Sequence, residues 1–419
     1  MKTPQFTQLE ARSPQYFLLM GVLLAVIAVG VFSALLMHHE GHIITGMTNR
    51  IVWGTPHIFA VFLIVAASGA LNVASIASVF GRSIYKPLSP LSMVLSVTIL
   101  VGGLAILILD LGRPEHLLDI PVMQFFYNTM PQRWSQSVFG WNMILYNGFM
   151  VIVLVYLWFS LVKRHNKYAK AVGTFALVWR LALTTGTGLI FGFLVARPAY
   201  DAAILAPMFI ILSFAYGLAF FILVLVPTYS WTGRELGDVM LNRLKKLLGI
   251  FVAAELYFVL TFHLTSLYSA SNANGIEHFI LFGGNSYSQA FWIGQVLIGI
   301  LLPLALTLLP MFKSRAALIV AAVFVIIGGL AQMYVTIIGG QAYPMPLFPG
   351  KVVESVINDG GIAPYSASIY EILLGLSGIG IAVFLAVFTM TNLRILPQSL
   401  ADKDVDPHYD PAKDAAASA

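Results

Sequence analysis

Apolar residues along this chain come in runs too long to form one face of an amphipathic element. Ten such runs are bounded by Gly, Pro or charged residues, at roughly 16–37, 51–80, 89–111, 141–162, 171–196, 201–228, 244–269, 289–311, 315–339 and 367–391. Each exceeds the ~18 residues that take a helix across a bilayer, whereas a barrel strand needs only about 9–11. A helix also satisfies its backbone N–H and C=O groups within its own segment. The expected fold is therefore an all-α polytopic membrane protein with ten transmembrane helices. The first run is longer than a signal-peptide core and no small-residue cleavage pattern follows it, so it is expected to be retained. The expected organisation is an N-terminal segment over 1–15, a membrane domain over 16–391 and a disordered tail over 392–419. From Gln398 onward that tail carries Asp402, Asp404, Asp406, Asp410 and Asp414 among small residues, a composition that buries little apolar surface.

The runs also correspond in pairs. Run two opens on Trp53-Gly54-Thr55-Pro56-His57 and run six on Leu205-Ala206-Pro207-Met208, each with a proline near the same end. Run four opens on Phe139-Gly140-Trp141-Asn142 and run eight on Ala290-Phe291-Trp292-Ile293. Partners are four helices apart, which preserves direction across the membrane. This predicts two parallel four-helix bundle repeats, spans 2–5 and 6–9, flanked by spans 1 and 10.

Composition removes the soluble classes. Of 419 residues, 59% are apolar and 10% charged, against about 25% charged in a soluble domain. The charges that remain are sorted by side: 17 Lys and Arg fall at the termini and the short connections of one side, and 5 on the opposite side. Basic loops stay in the cytoplasm, so both termini are expected there, in a bacterial inner membrane. The net charge of +5 is a topology signal and not a sign of nucleic-acid binding. The longer loops, 38–50, 112–140, 270–288 and 340–366, then gather outside and suggest a docking surface for an extracytoplasmic partner. There is no cysteine, which excludes disulfides, iron–sulfur ligation, thiolate zinc and c-type haem attachment in this chain.

Ionisable residues inside spans are costly and so mark candidate sites. His57, Asp110, Arg113, Glu115 and Asn142 come from three consecutive spans at one outer depth, with Trp53 and Trp141 alongside. A histidine beside a carboxylate can deprotonate a quinol head group, with the carboxylate relaying protons to water. Other readings stand beside this one. The tryptophans suit an interfacial belt, Asp110 and Arg113 suit a helix-end ion pair, and His57 suits a helix start. Arg180 and Glu255 lie near the midplane, where they read either as an ion pair locking the repeats or as part of a proton or gating path with His263. Only His57 and His263 are intramembrane histidines, enough for at most one outer-side b haem and too few for two stacked ones; neither haem nor metal is expected here.

Three stretches carry a resemblance: Trp53-Gly54-Thr55-Pro56-His57, Ala66-Ala67-Ser68-Gly69-Ala70-Leu71-Asn72 and, above all, Asp110-Leu111-Gly112-Arg113-Pro114-Glu115. In these the chain resembles the NrfD/PsrC family of polysulfide-reductase-type membrane subunits. It looks closest to the ten-helix branch of the DsrP subunits in Dsr complexes of sulfur metabolism. The resemblance implies a quinone-reactive subunit of a larger oxidoreductase complex, with menaquinone or ubiquinone bound near the outer face. It implies a periplasmic ferredoxin-like iron–sulfur partner, further membrane and redox subunits, and no haem or iron–sulfur cluster in the chain itself. His57 matches the family's quinone-site histidine in position, and Tyr127 or Tyr146 could serve as its tyrosine.

The leading expectation is thus quinol oxidoreduction with His57, Asp110 and Glu115 handling protons. Arg113, Asn142, Trp53, Trp141 and Tyr146 would then line the quinone. Two rivals remain: a secondary transporter or proton-conducting channel built around Arg180 and Glu255, and a passive anchor for partner subunits.

Overall fold

The computed structural model describes residues 5–11, 13–112, 138–162, 164–345, 361–406 and 409. Among the described residues, ten helices are long and apolar enough to cross a membrane: α1 (Pro14–Glu40), α2 (Thr55–Ser78), α3 (Ser83–Leu109), α4 (Val138–Leu161), α5 (Asn166–Gly192), α6 (Leu205–Trp231), α7 (Asp238–Tyr268), α8 (Ser286–Leu308), α9 (Arg315–Ala342) and α10 (Ile369–Asn392). The chain is therefore an all-α polytopic membrane protein, as its hydropathy pattern predicts. Boundaries differ from the hydropathy runs where local backbone rules intervene. α2 begins at Thr55 because Pro56 suits a first turn, where a missing N–H costs nothing. α3 begins early, as a 3₁₀ stretch over Ser83–Leu88.

Packing explains why some apolar helices are apolar all round. In α2, 94% of the most apolar window is buried inside the protein, against 22% in α1. α2 touches α3, α5, α6, α9 and α10, so almost none of it is left for lipid. Neighbour contacts run α2–α3, α3–α4, α4–α5 and back to α2. A second ring runs α6–α7, α7–α8, α8–α9 and back to α6, while α1 packs on α10 beside the first ring. The two rings meet along α2 and α6. There Gly69 lies against the backbone of Ser213, and Gly217 against that of Gly69 and Ala70, at a separation no Cβ could enter. Small residues at such a crossing let backbones approach, and in lipid close packing is a main source of helix association.

Regular α geometry fails in the second ring. α8 takes π spacing over Ala290–Leu301, and α9 over Val335–Gly339. The chain ends also depart from expectation. Phe6–Thr7 (β1) pairs antiparallel with Leu396–Pro397 (β2). Arg234 donates to the carbonyls of Gln8, Leu396 and Pro397. The composition of 398–406 predicts disorder; instead Asp402 accepts a hydrogen bond from Val239 N at the start of α7, at 3.1 Å. A carboxylate there satisfies one of the helix's orphan donors and complements its dipole.

Candidate functional site

At the end of the bundle opposite the paired termini, three ionisable side chains from separate elements converge. α3 ends at Leu109 and Asp110 caps it, 6% exposed. His57 lies in the first turn of α2, and its Nδ1 is 3.1 Å from Asp110 Oδ2. The third member is His42. Gly41, at φ +79°, turns the chain out of α1 through a conformation that glycine adopts without strain. His42 follows it, with Nε2 3.1 Å from the Asp110 backbone carbonyl and 3.8 Å from Oδ1.

The carboxylate is close to both imidazoles in distance. Yet neither of its oxygens has a hydrogen-bond partner among the described residues: His42 is too far from Oδ1, and His57, though near Oδ2, is not aligned with it. A buried carboxylate with spare acceptor capacity is costly, and it holds protons or cations nearby. Asp110 does so for His42: the carboxylate beside it lifts the imidazole above its ordinary range, against burial, which pulls it down, and with smaller help from Glu371. His57 is 24% exposed and His42 34%, while the Asp110 side chain is 2%. The arrangement is a carboxylate floor beneath two accessible imidazoles.

Other candidates fall into three groups. Trp53 joins the site, its ring stacked on His57 at 6.3 Å and 25°. Asn142 and Tyr146 are buried but serve the α4–α5 contact. Asn142 Nδ2 donates to the carbonyls of Val138 and Gly186, each at 2.9 Å, and the Tyr146 hydroxyl lies 3.1 Å from Thr187 Oγ1. Neither bonds to His57 or Asp110 among the described residues. Trp141 is 59% exposed on the outside of α4. Arg113, Glu115 and Tyr127 lie outside the described residues.

The midplane ion pair, one of the two sequence readings of Arg180 and Glu255, is not made among the described residues. Arg180 donates from Nη1 to Ser68 O at 3.1 Å and Asn72 Oδ1 at 2.6 Å, and stacks over the Phe214 ring. Glu255 Oε1 instead lies 3.4 Å from the Tyr216 hydroxyl, which also reaches Gln332 Oε1 at 2.9 Å. Glu255 Oε2 is buried without a hydrogen bond among the described residues. His263 pairs with a carboxylate that sequence reading missed: Glu277, 2% exposed, at 2.8 Å. His263 also lines a cavity with Gln295, Gln332 and Thr336 that leaves about 30 Å³ for the centres of water-sized molecules.

Glu371 is the other group whose role sequence reading missed. It closes a capping box with Ser368 at the start of α10. Fully buried, it also accepts from Gly46 N at 2.8 Å, Thr55 N at 3.4 Å and the Tyr365 hydroxyl at 2.7 Å. The first turns of α2 and α10 are thereby tied to one carboxylate. The Ser-x-x-Glu spacing over 368–371 was a legible capping signal; its reach to α2 was not.

Two imidazoles thus gather beside one buried carboxylate at one end of the membrane helices. The sequence comparisons make the class of this membrane protein specific. Residues 43–345 match the family described as Polysulphide reductase, NrfD, and the chain belongs to that family. It is 26% identical over 409 residues to the Hdr-like menaquinol oxidoreductase integral membrane subunit of Archaeoglobus fulgidus, covering 96% of this chain and 99% of the relative. It is 24% identical to a subunit of the selenate reductase of Mesobacillus selenatarsenatis, over 92% of this chain and 95% of that one. It is 26% identical to a putative dimethyl sulfoxide reductase membrane subunit of Halobacterium salinarum, over 91% of each.

Proposed function

We propose that this chain is the quinone-reactive membrane subunit of an oxidoreductase complex, exchanging electrons between menaquinone or ubiquinone and an iron–sulfur partner. The single observation that carries this reading is the His57–Asp110–His42 cluster beneath Trp53. The quinone is the substrate. Each quinol oxidised releases two protons and two electrons; the electrons pass to the partner's iron–sulfur carrier and the protons need acceptors in this chain. His57 Nε2 is free of hydrogen bonds among the described residues, while Nδ1 faces Asp110, so Nε2 takes the first proton from a quinol hydroxyl. Asp110 stabilises the imidazolium that results, and His42, more exposed, takes the second proton and passes it to water. General base catalysis of this kind contributes roughly 10²–10⁴-fold.

The basic-residue bias supports placing this end of the bundle at the periplasmic face of an inner membrane, with both termini cytoplasmic and the partner docked outside. Placement in the sulfur-metabolising branch rests on the sequence resemblance alone. The two contact rings support reading α2–α5 and α6–α9 as the two repeats.

The test is His57→Ala in the assembled complex. Quinol-linked turnover is expected to fall at least ~100-fold while all subunits co-purify. Normal turnover would overturn the assignment, and a complex that holds no quinone and ignores quinone-site inhibitors would make the chain a passive anchor.

A second reading adds to the first. The Glu255 oxygen that has no hydrogen-bond partner among the described residues, the Tyr216–Gln332 contact and the cavity at His263, with room for about two waters, support a proton path through α6–α9. Arg180, tied to backbone and amide partners, is better read as structural. Glu255→Gln would then abolish proton uptake into vesicles while leaving quinol turnover intact.

A further inference from the structure

Gln341, at the far end of α9, is a buried amide in the other ring of helices, yet nearly all of its hydrogen-bonding capacity is spent on the candidate site. Its Oε1 accepts from Val52 N and Trp53 N, both at 3.0 Å. Its Nε2 donates to Trp53 O and to Ile337 O, both at 2.9 Å. The side-chain amide thus holds Trp53 by both its N–H and its C=O, as a neighbouring strand would. Two bonds to one residue fix the direction of its backbone, and with it the direction of the indole that stacks on His57. The residue is 2% exposed, so an unpaired amide there would be costly.

Gln341 is itself held in place. Arg197 Nη1 donates to its backbone carbonyl at 2.8 Å, while Arg197 Nη2 donates to Arg50 O at 3.0 Å, on the stretch of chain that leads to Trp53. Just before it, α9 takes π spacing over Val335–Gly339. One residue inserted in a helix turns everything beyond it by about 100°, and here that sets the direction in which Gln341 points. The carbonyl of Ile337, inside the π stretch, accepts from both Gln341 and the Tyr200 hydroxyl, at 2.9 Å each. π turns of this kind are frequent at functional sites, and this one faces another ring's chemistry.

We infer that Gln341 is a positioning residue for the His57 site: it orients Trp53 over the imidazole and couples the π turn of α9 to proton acceptance at His57. It touches neither quinone nor the exchanged proton. The inference rests on the quinol reading of the site, and the experiment separates the two.

The variants are Gln341→Met, which keeps the volume and loses the hydrogen bonds, Trp53→Ala, and the two combined, all in the purified complex. Hydrogen exchange at the amides of Val52 and Trp53 is read beside quinol oxidation across pH. In Gln341→Met these amides are expected to exchange at least tenfold faster. kcat/KM should fall about tenfold, with the acidic limb of its pH profile displaced. Added to Trp53→Ala, the same substitution should cost less than twofold, because the residue through which it acts is already gone; a purely structural role would give additive losses. Equal losses in both backgrounds, or faster exchange with wild-type turnover and pH profile, would overturn the positioning role. If His57→Ala turns over normally, the quinol reading falls and the positioning role with it. The exchange result would then stand as a packing fact alone.

Discussion

The two rings carry the same chemical pair at the same end of the molecule and treat it differently. In α2–α5, His57 meets Asp110 at 3.1 Å off the hydrogen-bond direction, and among the described residues neither carboxylate oxygen has a hydrogen-bond partner. In the second ring, His263 meets Glu277 in a hydrogen bond of 2.8 Å, with the imidazole only 12% exposed and wedged edge-on between Phe262 and Phe291. One pair has unused capacity and a second histidine to share it; the other is closed. An imidazole–carboxylate pair therefore says little until its remaining valences are counted. By that count the proposed exchange with a substrate falls to the pair in the first ring, whereas the His263–Glu277 pair is already closed.

Replacement of the carboxylates should separate the rings most strongly. Asp110→Asn removes the group that stabilises the His57 imidazolium and cannot relay a proton. Quinol turnover in the purified complex is expected to drop ~10²-fold or more. Glu277→Gln, measured in the same assay, should stay within about threefold of wild type. Comparable losses in both would erase the distinction.

Next in size is the joint the first ring shares with α10. Glu371→Gln keeps the volume but weakens charge-assisted hydrogen bonds to Gly46 N and Ser368 N. Such bonds contribute roughly 1.5–3 kcal/mol each before compensation, so a loss of about 2 kcal/mol is expected in thermal or denaturant unfolding, with turnover falling alongside. An unchanged unfolding midpoint would remove Glu371 from the account.

A smaller effect concerns His42. Because its imidazole is held above the ordinary range, it binds its proton more tightly folded than unfolded. The stabilisation is fully present below about pH 6.5, the unfolded value, and is lost as pH rises through the folded one. Wild type should therefore lose more stability than His42→Gln between mildly acidic and mildly alkaline pH. Parallel stability curves for the two would contradict this. Smallest of all, Trp141→Phe on the exposed side of α4 should change quinol turnover less than about twofold, as an interfacial residue would.

Much of this was legible in the residues, and the limits have physical causes. Hydropathy finds spans because lipid demands them, and the rarity of ionisable groups in those spans led straight to His57 and Asp110. Depth along a helix can be counted at about 1.5 Å per residue, which placed Asn142 level with His57. The partner a side chain faces depends on rotation about the helix axis and on packing. Asn142 turns to α5, and Arg180 and Glu255 find separate partners on α2 and α6. His42 sat in a loop near His38 and His39 with nothing to distinguish it until the turn at Gly41 aimed it at Asp110. Gln341 carries no charge, so a search for costly ions passed over it. The π stretch that orients it leaves no periodic signature in an apolar run.

The most direct test of the central claim is to find which ring touches the quinone. A photoreactive azidoquinone, illuminated in the purified complex and mapped by peptide mass spectrometry, should label the segment around Trp53 and His57. Excess native quinol should suppress that label, and His57→Ala should diminish it. Labelling concentrated around His263 and Gln295 in the second ring, with the His57 segment untouched, would contradict the account.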